Sequence, residues 1–485
     1  MTTVFALATP AGRSGVAVIR ISGPDSGAAL RALTRQDPPP PRLAARRKFW
    51  KPALVDNRTP TLTLPRTGGG DFTEHASPSP DSGEGRGGGP SQMIDDGLVL
   101  WFPAPHSFTG EDVAEFHIHG GPAVIAAMAE ALRAQGLMLA EPGAFTRRAF
   151  DNGKLDLTEV EGLADLIAAE TEAQRRQALR QMEGELGALY ETWRAALLQA
   201  LARMEAAIDF PDEDLPGGLV ASVDDMLRSI AAAISQHLDD AHRGERLRDG
   251  LSVAILGAPN VGKSSLLNRL ARREAAIVSA QAGTTRDIVE VRLDLGGYPV
   301  LIADTAGLRV TPDEIEAEGV RRALERAAHA DLKLLLFDGG LWPKTETETL
   351  RLIDDAAILV LNKADLAPGK FPGRFPGKFP AEIAGRALLP VSATSGEGLE
   401  ALLAEIARRA AGLLAAGDEP VLTRLRHREA LDHCLESLQR SLQAPLIELK
   451  SEDLRLAAQA LGRITGRVDV EDVLDLIFRE FCIGK

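Results

Sequence analysis

The sequence predicts an α/β plus all-α protein in three parts: an N-terminal α/β domain, a helical domain made of two chain segments, and a second α/β domain inserted between those segments. Three observations predict it. Residues 251–412 alternate short apolar runs (SVAILG, YPVLIAD, LKLLLFD, AAILVLN, ALLPVSA) with helical stretches, the order that builds a parallel sheet with helices on both faces. From Leu157 to about Arg248, and again after Pro420, nearly every residue is a helix former, with apolar positions spaced by three and four. At 485 residues the chain exceeds what one core organises, since domains run to about 100–200 residues. The expected divisions are 1–155, 156–248, 249–413 and 414–485.

In chain order, VAVIRIS (16–22) alternates as a strand does, and DDGLVLWFP (95–103) supplies a second apolar strand. Between them residues 58–92 are rich in Gly, Pro and Ser, which predicts a disordered surface insertion. GPAVIAAMAEALRAQG (121–136) reads as a helix with Pro early and Gly at its end. KFPGRFPGKFP (370–380) repeats a four-residue unit too briefly for a solenoid and reads as an expanded loop.

The totals exclude several classes. The formal charge is 55 − 69 = −14, which argues against bulk affinity for a nucleic-acid backbone but leaves room for a local basic groove. Two cysteines, Cys434 and Cys482, make no disulfide framework, and a reducing cytosol is the expected setting. The start MTTVFALATPAGRSG lacks the pattern of a signal peptide. No run of about 18 apolar residues predicts a membrane span.

The chemistry concentrates in the second α/β part. GAPNVGKS (257–264) fits G-x-x-x-x-G-K-[ST] and lies between the strand SVAIL and the helix SSLLNRLA. Its glycines let backbone N–H groups close around phosphates, and the helix N-terminus favours the anion. Lys263 would reach the β- and γ-phosphates, and Ser264 would ligate Mg²⁺. GTTRD (283–287) offers Thr285 as a second Mg²⁺ hydroxyl. DTAG (304–307) ends the strand VLIAD, so Asp304 can hold Mg²⁺ through water and the Gly307 N–H can meet the γ-phosphate. NKAD (362–365) ends the strand AAILVL. The Asp365 carboxylate can accept both donors of guanine, a pair that adenine lacks, while Asn362 and Lys363 brace the loop. SAT (392–394) brings the Ala393 N–H toward guanine O6. Five short motifs in order, each at a strand end, predict a guanine-nucleotide domain.

The residues expected around GTP are Asn260, Val261, Gly262, Lys263, Ser264 and Ser265 in the phosphate loop. Ser279, Ala280, Gln281, Ala282, Gly283, Thr284 and Thr285 follow in the first switch, then Asp304, Thr305, Ala306 and Gly307. Asn362, Lys363, Ala364 and Asp365 come next, and Ser392, Ala393 and Thr394 complete the set. After the DTAG glycine a Ras-like protein carries the Gln that orients water, and here Leu308 stands in that place. Either hydrolysis is poor or other groups do the work; the expected groups are Asn260, helping to hold a monovalent cation against the phosphates, and a carboxylate in DEIEAEG (313–319), namely Glu316, positioning the water.

These residues carry a resemblance that spans nearly the whole chain. ATPAGRSGVAVIRISG (8–23), SFTGEDVAEFHIHGG (107–121), PGAFTRRAFDNGKLDLTEVEGLADLI (142–167), DTAGLR (304–309) and the tail FCIGK resemble the MnmE (TrmE) family of tRNA-modification GTPases. The resemblance implies an N-terminal dimerisation domain that binds a formyl-tetrahydrofolate-type folate, a helical domain of two segments, and an inserted Ras-like P-loop GTPase domain. It implies a homodimer that works with MnmG (GidA), which supplies FAD, to add an aminomethyl or carboxymethylaminomethyl group at C5 of the wobble uridine (position 34) of certain tRNAs. K⁺ would be held by Asn260 and by oxygens of Ser279, Gln281 and Thr284. Glu316 falls at the family's catalytic glutamate. Folate contacts would come from Arg20, Glu115, Lys154 and Lys485, and Cys482 is a possible modification thiol.

Other marks have plainer readings. Cys434 reads as helix core. His117 and His119 alternate onto one face, and no further ligand completes a metal set. Arg147 and Arg148 suit folate, RNA or an ordinary surface equally. A ribosome-assembly or signalling GTPase would share the nucleotide motifs, but it would carry a basic RNA-binding module such as a KH domain with its GXXG loop, and no such module is read here.

Overall fold

The computed structural model describes residues 2–10, 12–52, 92–209, 219–273, 275–277, 290–304, 329–342, 344–366, 382–415 and 420–468, with 474, 477, 478, 481 and 484. The insertion at 58–91, the repeat at 370–380, Glu316, Cys482, Lys485 and the switch residues 279–285 and 305–307 lie outside the described residues. The chain divides into two compact units, Met1–Leu155 with Glu471–Lys485, and Asp156–Val470.

The first unit is built on six strands: β1 (Val4–Leu7), β2 (Ser14–Ser22), β3 (Ala45–Trp50), β4 (Met93–Phe102), β5 (Val113–Gly120) and β6 (Met138–Leu139). Their spatial order is β3-β4-β5-β2-β1-β6, antiparallel except for the parallel β1–β6 pair. Period-two alternation sorts the side chains by face. Phe5 of β1, Ile19 and Ile21 of β2 and Phe116 of β5 join Leu30, Leu33, Met128 and Leu132 from the helices Ser26–Thr34 and Pro122–Ala134 in the main core. Val4 and Ala6, the odd members of β1, pack with Ala140 and Phe145 in a smaller cluster. Pro122 stands at the first helical position, where its missing N–H costs nothing.

In the second unit the helices Glu185–Asp209, Leu219–Leu238, Leu425–Gln443 and Ile447–Thr465 share one core, with Tyr190, Leu197, Leu227, Leu431, Cys434 and Leu461 all buried. Two segments separated by 425 − 238 = 187 positions in sequence thus build one bundle. Two shorter helices precede it, and both start on capping boxes. Asp156 caps Leu157–Ala168 against Glu159, and Thr171 caps Glu172–Met182 against Gln174.

The sheet of this unit has the order β12-β13-β11-β10-β7-β9-β8. The strands are β7 (Leu251–Gly257), β8 (Glu290–Leu295), β9 (Tyr298–Asp304), β10 (Leu332–Asp338), β11 (Ala357–Asn362), β12 (Glu382–Ile383) and β13 (Arg386–Pro390). The five strands read from the sequence are parallel. The two others are antiparallel edges: β8 pairs with β9 and β12 with β13. VRLDL escapes the motif reading because it is an edge hairpin strand with polar residues between its apolar ones. Gly296 and Gly297, at φ 66° and 88°, make the two-residue turn that closes it. Both faces of the parallel strands are covered. Val253, Ile255, Leu334 and Leu336 point into one cluster, and Ala254, Leu256, Leu335 and Phe337 into the other. The hairpin tip is tied to the helical part, where Ala173 N donates to Gly297 O (3.0 Å), and next to it Gln174 Nε2 donates to Arg248 O (2.9 Å) just ahead of β7.

Candidate functional site

In a parallel sheet, ligands bind beyond the carboxyl ends of the strands where the strand order reverses. The chain runs from β7 outward to β9 and then back across to β10, so the reversal lies at β7. The phosphate loop follows β7, Asp304 ends β9, NKAD begins at the end of β11, and SAT follows β13.

Backbone shape in the phosphate loop explains its glycines. Gly257 has φ 147°, and a Cβ there would come within 2.6 Å of the Leu336 carbonyl. Gly262, at φ 101°, precedes the helix Lys263–Ala271, and a Cβ on it would overlap the Asn362 amide. Asn260 also adopts positive φ (63°), a conformation Asn tolerates better than most side chains. Lys263 Nζ donates to the carbonyls of Gly257 (2.8 Å) and Ala258 (2.9 Å), which holds the amine against the loop. Val261 is buried beneath the loop, and Ser264 and Ser265 are exposed on the first helical turn.

One side chain joins three of the motifs. Asn362 is 1% exposed. Its Nδ2 donates to Val261 O (2.8 Å), and its Oδ1 accepts from Ala393 N (3.2 Å). The phosphate loop, NKAD and SAT are therefore fixed to one another through a single amide. The Ala393 N–H expected to meet guanine O6 is engaged with Asn362 here, so O6 would share or compete for that donor. Lys363, at φ 59°, pairs with Asp338 Oδ2 (2.7 Å), while Gly339 N donates to Asn362 O (2.7 Å). Asp338 is a bracing residue the motif reading does not reach; its signal was the acid ending LKLLLFD. Ala364 is buried, with its N–H on Val391 O (3.1 Å). Asp365 is exposed, so its carboxylate faces solvent, as a base-recognising acceptor must. Ser392 is buried, its Oγ accepts from Ser395 N (3.0 Å), and Thr394 is exposed.

Of the residues expected to hold ions, Ser264 and Asn260 lie among the described ones. Ser264 offers a hydroxyl at the helix start, where the backbone N–H groups favour an anion such as phosphate. Asn260 offers an amide on the exposed rim of the loop.

Of the expected folate residues, Arg20 and Glu115 face one another directly across the β2–β5 pair. They form a part-buried ion pair, with Arg20 Nε and Nη2 at 2.9 and 2.8 Å from Glu115 Oε1. The rings of Phe108 and Phe145 lie 6.0 and 5.8 Å from the guanidinium, and Arg20 Nη1 reaches the Gly484 carbonyl at 3.5 Å. Gly484 thus lies beside this pair, packed against Leu7 and Ala8. Lys154 is exposed, and its Cε lies 3.3 Å from where a Cβ on Gly110 would stand. Arg20 is thus held by a carboxylate with two aromatic rings nearby.

Arg148 has a structural role. It bonds Glu111 (2.6 Å), Ser22 O and Thr2 O and is largely buried. Arg147 lies over the Phe478 ring at 5.9 Å. His117 and His119 take carboxylate partners, Glu115 (3.4 Å) and Asp95 (2.8 Å). Cys434 is fully buried, and burial pushes its thiol up to about 12.

Sequence reading missed a charged cluster in the helical part. Glu161, 1% exposed, receives two Arg426 hydrogen bonds (2.6 and 2.7 Å) and one from His427 Nε2 (2.8 Å). Asp165 bonds Arg424 (2.8 Å) and Arg248 (3.0 Å). Burial alone would raise the Glu161 pKa, but Arg426 and His427 overcome it and hold the carboxyl well below its usual range. Burial, with Arg426 adding to it, drives His427 down to about 4.

The chain matches known families along most of its length. Residues 3–154 match the family described as GTP-binding protein TrmE N-terminus, and residues 157–482 match the MnmE helical domain. The tRNA modification GTPase MnmE of Paramagnetospirillum magneticum is 55% identical over 483 residues, covering 100% of this chain and 99% of that protein. Those of Parvibaculum lavamentivorans and Rhodospirillum rubrum are each 54% identical, covering all of this chain and 100% and 99% of theirs. Among solved structures, the G domain of the T. maritima FeoB iron transporter is 28% identical and covers 33% of this chain and 98% of that one, with a TM-score of 0.24. With relatives above half identity over the full length and a family match across two thirds of it, the chain belongs to the MnmE family of tRNA modification GTPases.

Proposed function

We propose that the chain hydrolyses GTP and uses the cycle to drive modification of the wobble uridine of certain tRNAs. In this reading it works as a homodimer with the flavin-dependent partner MnmG (GidA), adding an aminomethyl or carboxymethylaminomethyl group at C5 of uridine 34. The observation that carries the reading is the Asn362 strap: three nucleotide motifs are locked in register inside a chain whose relatives match it end to end.

The roles follow from the residues. Backbone N–H groups of the loop and Lys263 bind the β- and γ-phosphates, and Asp365 selects guanine by accepting from both of its donors. Mg²⁺, held by Ser264 and Thr285, would neutralise charge on the phosphate oxygens. K⁺, held by Asn260, Ser279, Gln281 and Thr284, would add positive charge where an arginine finger otherwise does. Glu316 orients the attacking water. Arg20, Glu115, Lys154 and Lys485 bind the folate that supplies the one-carbon unit, with Arg20 and Lys154 facing its anionic groups.

Tests separate these roles. GTP turnover should be faster in KCl than in NaCl at matched ionic strength, and equal rates would remove the cation from the mechanism. Glu316→Ala should abolish turnover and spare nucleotide binding. Bulk tRNA from a strain lacking the chain should lose its C5-substituted wobble uridines on mass spectrometry, whereas an intact profile would refute the modification role.

A further inference from the structure

The chain is acidic overall, yet one edge of its first unit is basic. Between Asp37 and Asp56 there is no acid, while Arg42, Arg46, Arg47, Lys48 and Lys51 fall within ten residues. Most of these belong to β3, the terminal strand of its sheet. Local acids neutralise only part of the charge. Asp96 takes Arg46 in a bidentate pair (3.1 and 2.8 Å), and Glu130 takes Lys51 (3.2 Å).

These cations border a shallow groove between β3 and the end of the helix Ser26–Thr34, lined by Arg35, Arg46, Arg47, Lys48, Trp50 and one acid, Asp96, which stands across from Lys48 and is already engaged by Arg46. Arg35, at φ 58°, is turned back so that its guanidinium lies over the Trp50 ring at 4.6 Å. That contact orders the cation without neutralising it. Among the described residues, Arg47 Nη1 donates only to the neighbouring Arg46 carbonyl (3.0 Å), and its buried Nε has no hydrogen-bond partner. Lys48 is exposed. Four cations against one acid leave a net positive groove, which gains from an anion with several oxygens.

We propose that this groove on the β3 edge is a contact for the sugar–phosphate backbone of tRNA, with Arg35, Arg47 and Lys48 each facing phosphate oxygens. The proposal rests on the tRNA reading above. Charge complementarity on an otherwise acidic protein favours a polyanion. A row of cations along an extended strand, with an aromatic ring beside it, suits a nucleic-acid backbone.

The test is binding of bulk tRNA to the full-length protein across a salt series, for wild type, Lys48→Glu, Arg35→Gln and a control, Arg133→Glu. Arg133 is exposed on the helix Pro122–Ala134 of the same unit, and its reversal changes net charge as Lys48→Glu does. Lys48→Glu should weaken binding about 5- to 10-fold and lower the slope of log K against log salt by about 1. Arg35→Gln should weaken binding less, and Arg133→Glu should leave it unchanged. Thermal melts followed by circular dichroism should be the same in all four proteins, which reports that they are folded, and GTP hydrolysis should be unchanged. Wild-type affinity in both groove variants would overturn the proposal while the tRNA reading stands, and so would an equal loss in the control. No binding by the wild type would overturn both. If capture by phosphatidylglycerol vesicles, rather than tRNA binding, were lost in Lys48→Glu, the groove would belong to a lipid surface.

Discussion

Two polar regions of the second unit use charge in opposite ways. At the nucleotide loops the bracing is done by a neutral amide, the backbone and one ion pair set back from the ligand face. The Asn362 amide holds the loops together, and Lys363 with Asp338 stiffens one turn, while Asp365 is left exposed. In the helical part the charges are matched to one another. Glu161 is enclosed by Arg426 and His427, and Asp165 by Arg424 and Arg248. A binding site keeps its ionic groups available to a ligand, whereas a structural cluster satisfies them internally, and only the second depends on them for folding. The cluster joins residues 161 and 165 to 248 and to 424–427, so it fastens the two segments of the helical part beside the start of β7.

The comparison predicts that a mutation should damage function in one region and stability in the other. Lys263→Ala should have the largest effect, lowering kcat/KM for GTP by about 10³-fold or more with little change in melting temperature. A comparable loss of stability would mean the loop is part of the folding core. Glu161→Gln should do the reverse. It leaves buried cations uncompensated and should cost about 3–5 kcal/mol, read as a lower midpoint in urea with nucleotide affinity retained at low denaturant. Asn362→Ala stands between the two: about 2 kcal/mol of stability, together with weaker GTP binding, because the amide serves both.

Acid should also separate the regions. The folded-state pKa of His427 is depressed to about 4 from an unfolded value of 6.5, so its contribution to stability is present above pH 6.5 and lost as pH falls toward 4. Glu161, also depressed, withdraws its contribution below about pH 4.5. Asp165, raised by burial, works in the other direction. Unfolding free energy should therefore decline between pH 6.5 and 4, and His427→Gln should flatten that decline. An identical slope in the variant would remove His427 from the account. The smallest effect is expected of Cys434→Ala, about 1 kcal/mol from the small void it leaves. The native thiol should resist alkylation at pH 8, which its buried position and raised pKa require.

The sequence discloses these regions unequally, for a physical reason. The phosphate loop, NKAD and SAT are local patterns, and the backbone geometry they require is written into consecutive residues: Gly257 and Gly262 occupy positions where a side chain would collide. Whether Asn362 reaches Val261 is a contact across 101 positions, and the Glu161–His427 bond spans 266. No local pattern carries either. Glu161 reads as one more acid on a helix, and its burial depends on residues supplied by the second helical segment. Arg148 was equally open to a ligand or a surface role until its partners Glu111, Ser22 and Thr2 were in place. The antiparallel edges β8 and β12 were hidden because a short hairpin strand needs little apolar content when one side of it is free.

The central claim is that the nucleotide site powers a tRNA modification. The most direct measurement is the nucleoside profile of bulk tRNA from a deletion strain complemented with either the wild-type chain or Lys263→Ala at equal protein levels. The account predicts that C5-substituted wobble uridines return with the wild type and stay absent with the variant. Equal restoration by both would contradict it, because the modification would then proceed without the nucleotide site.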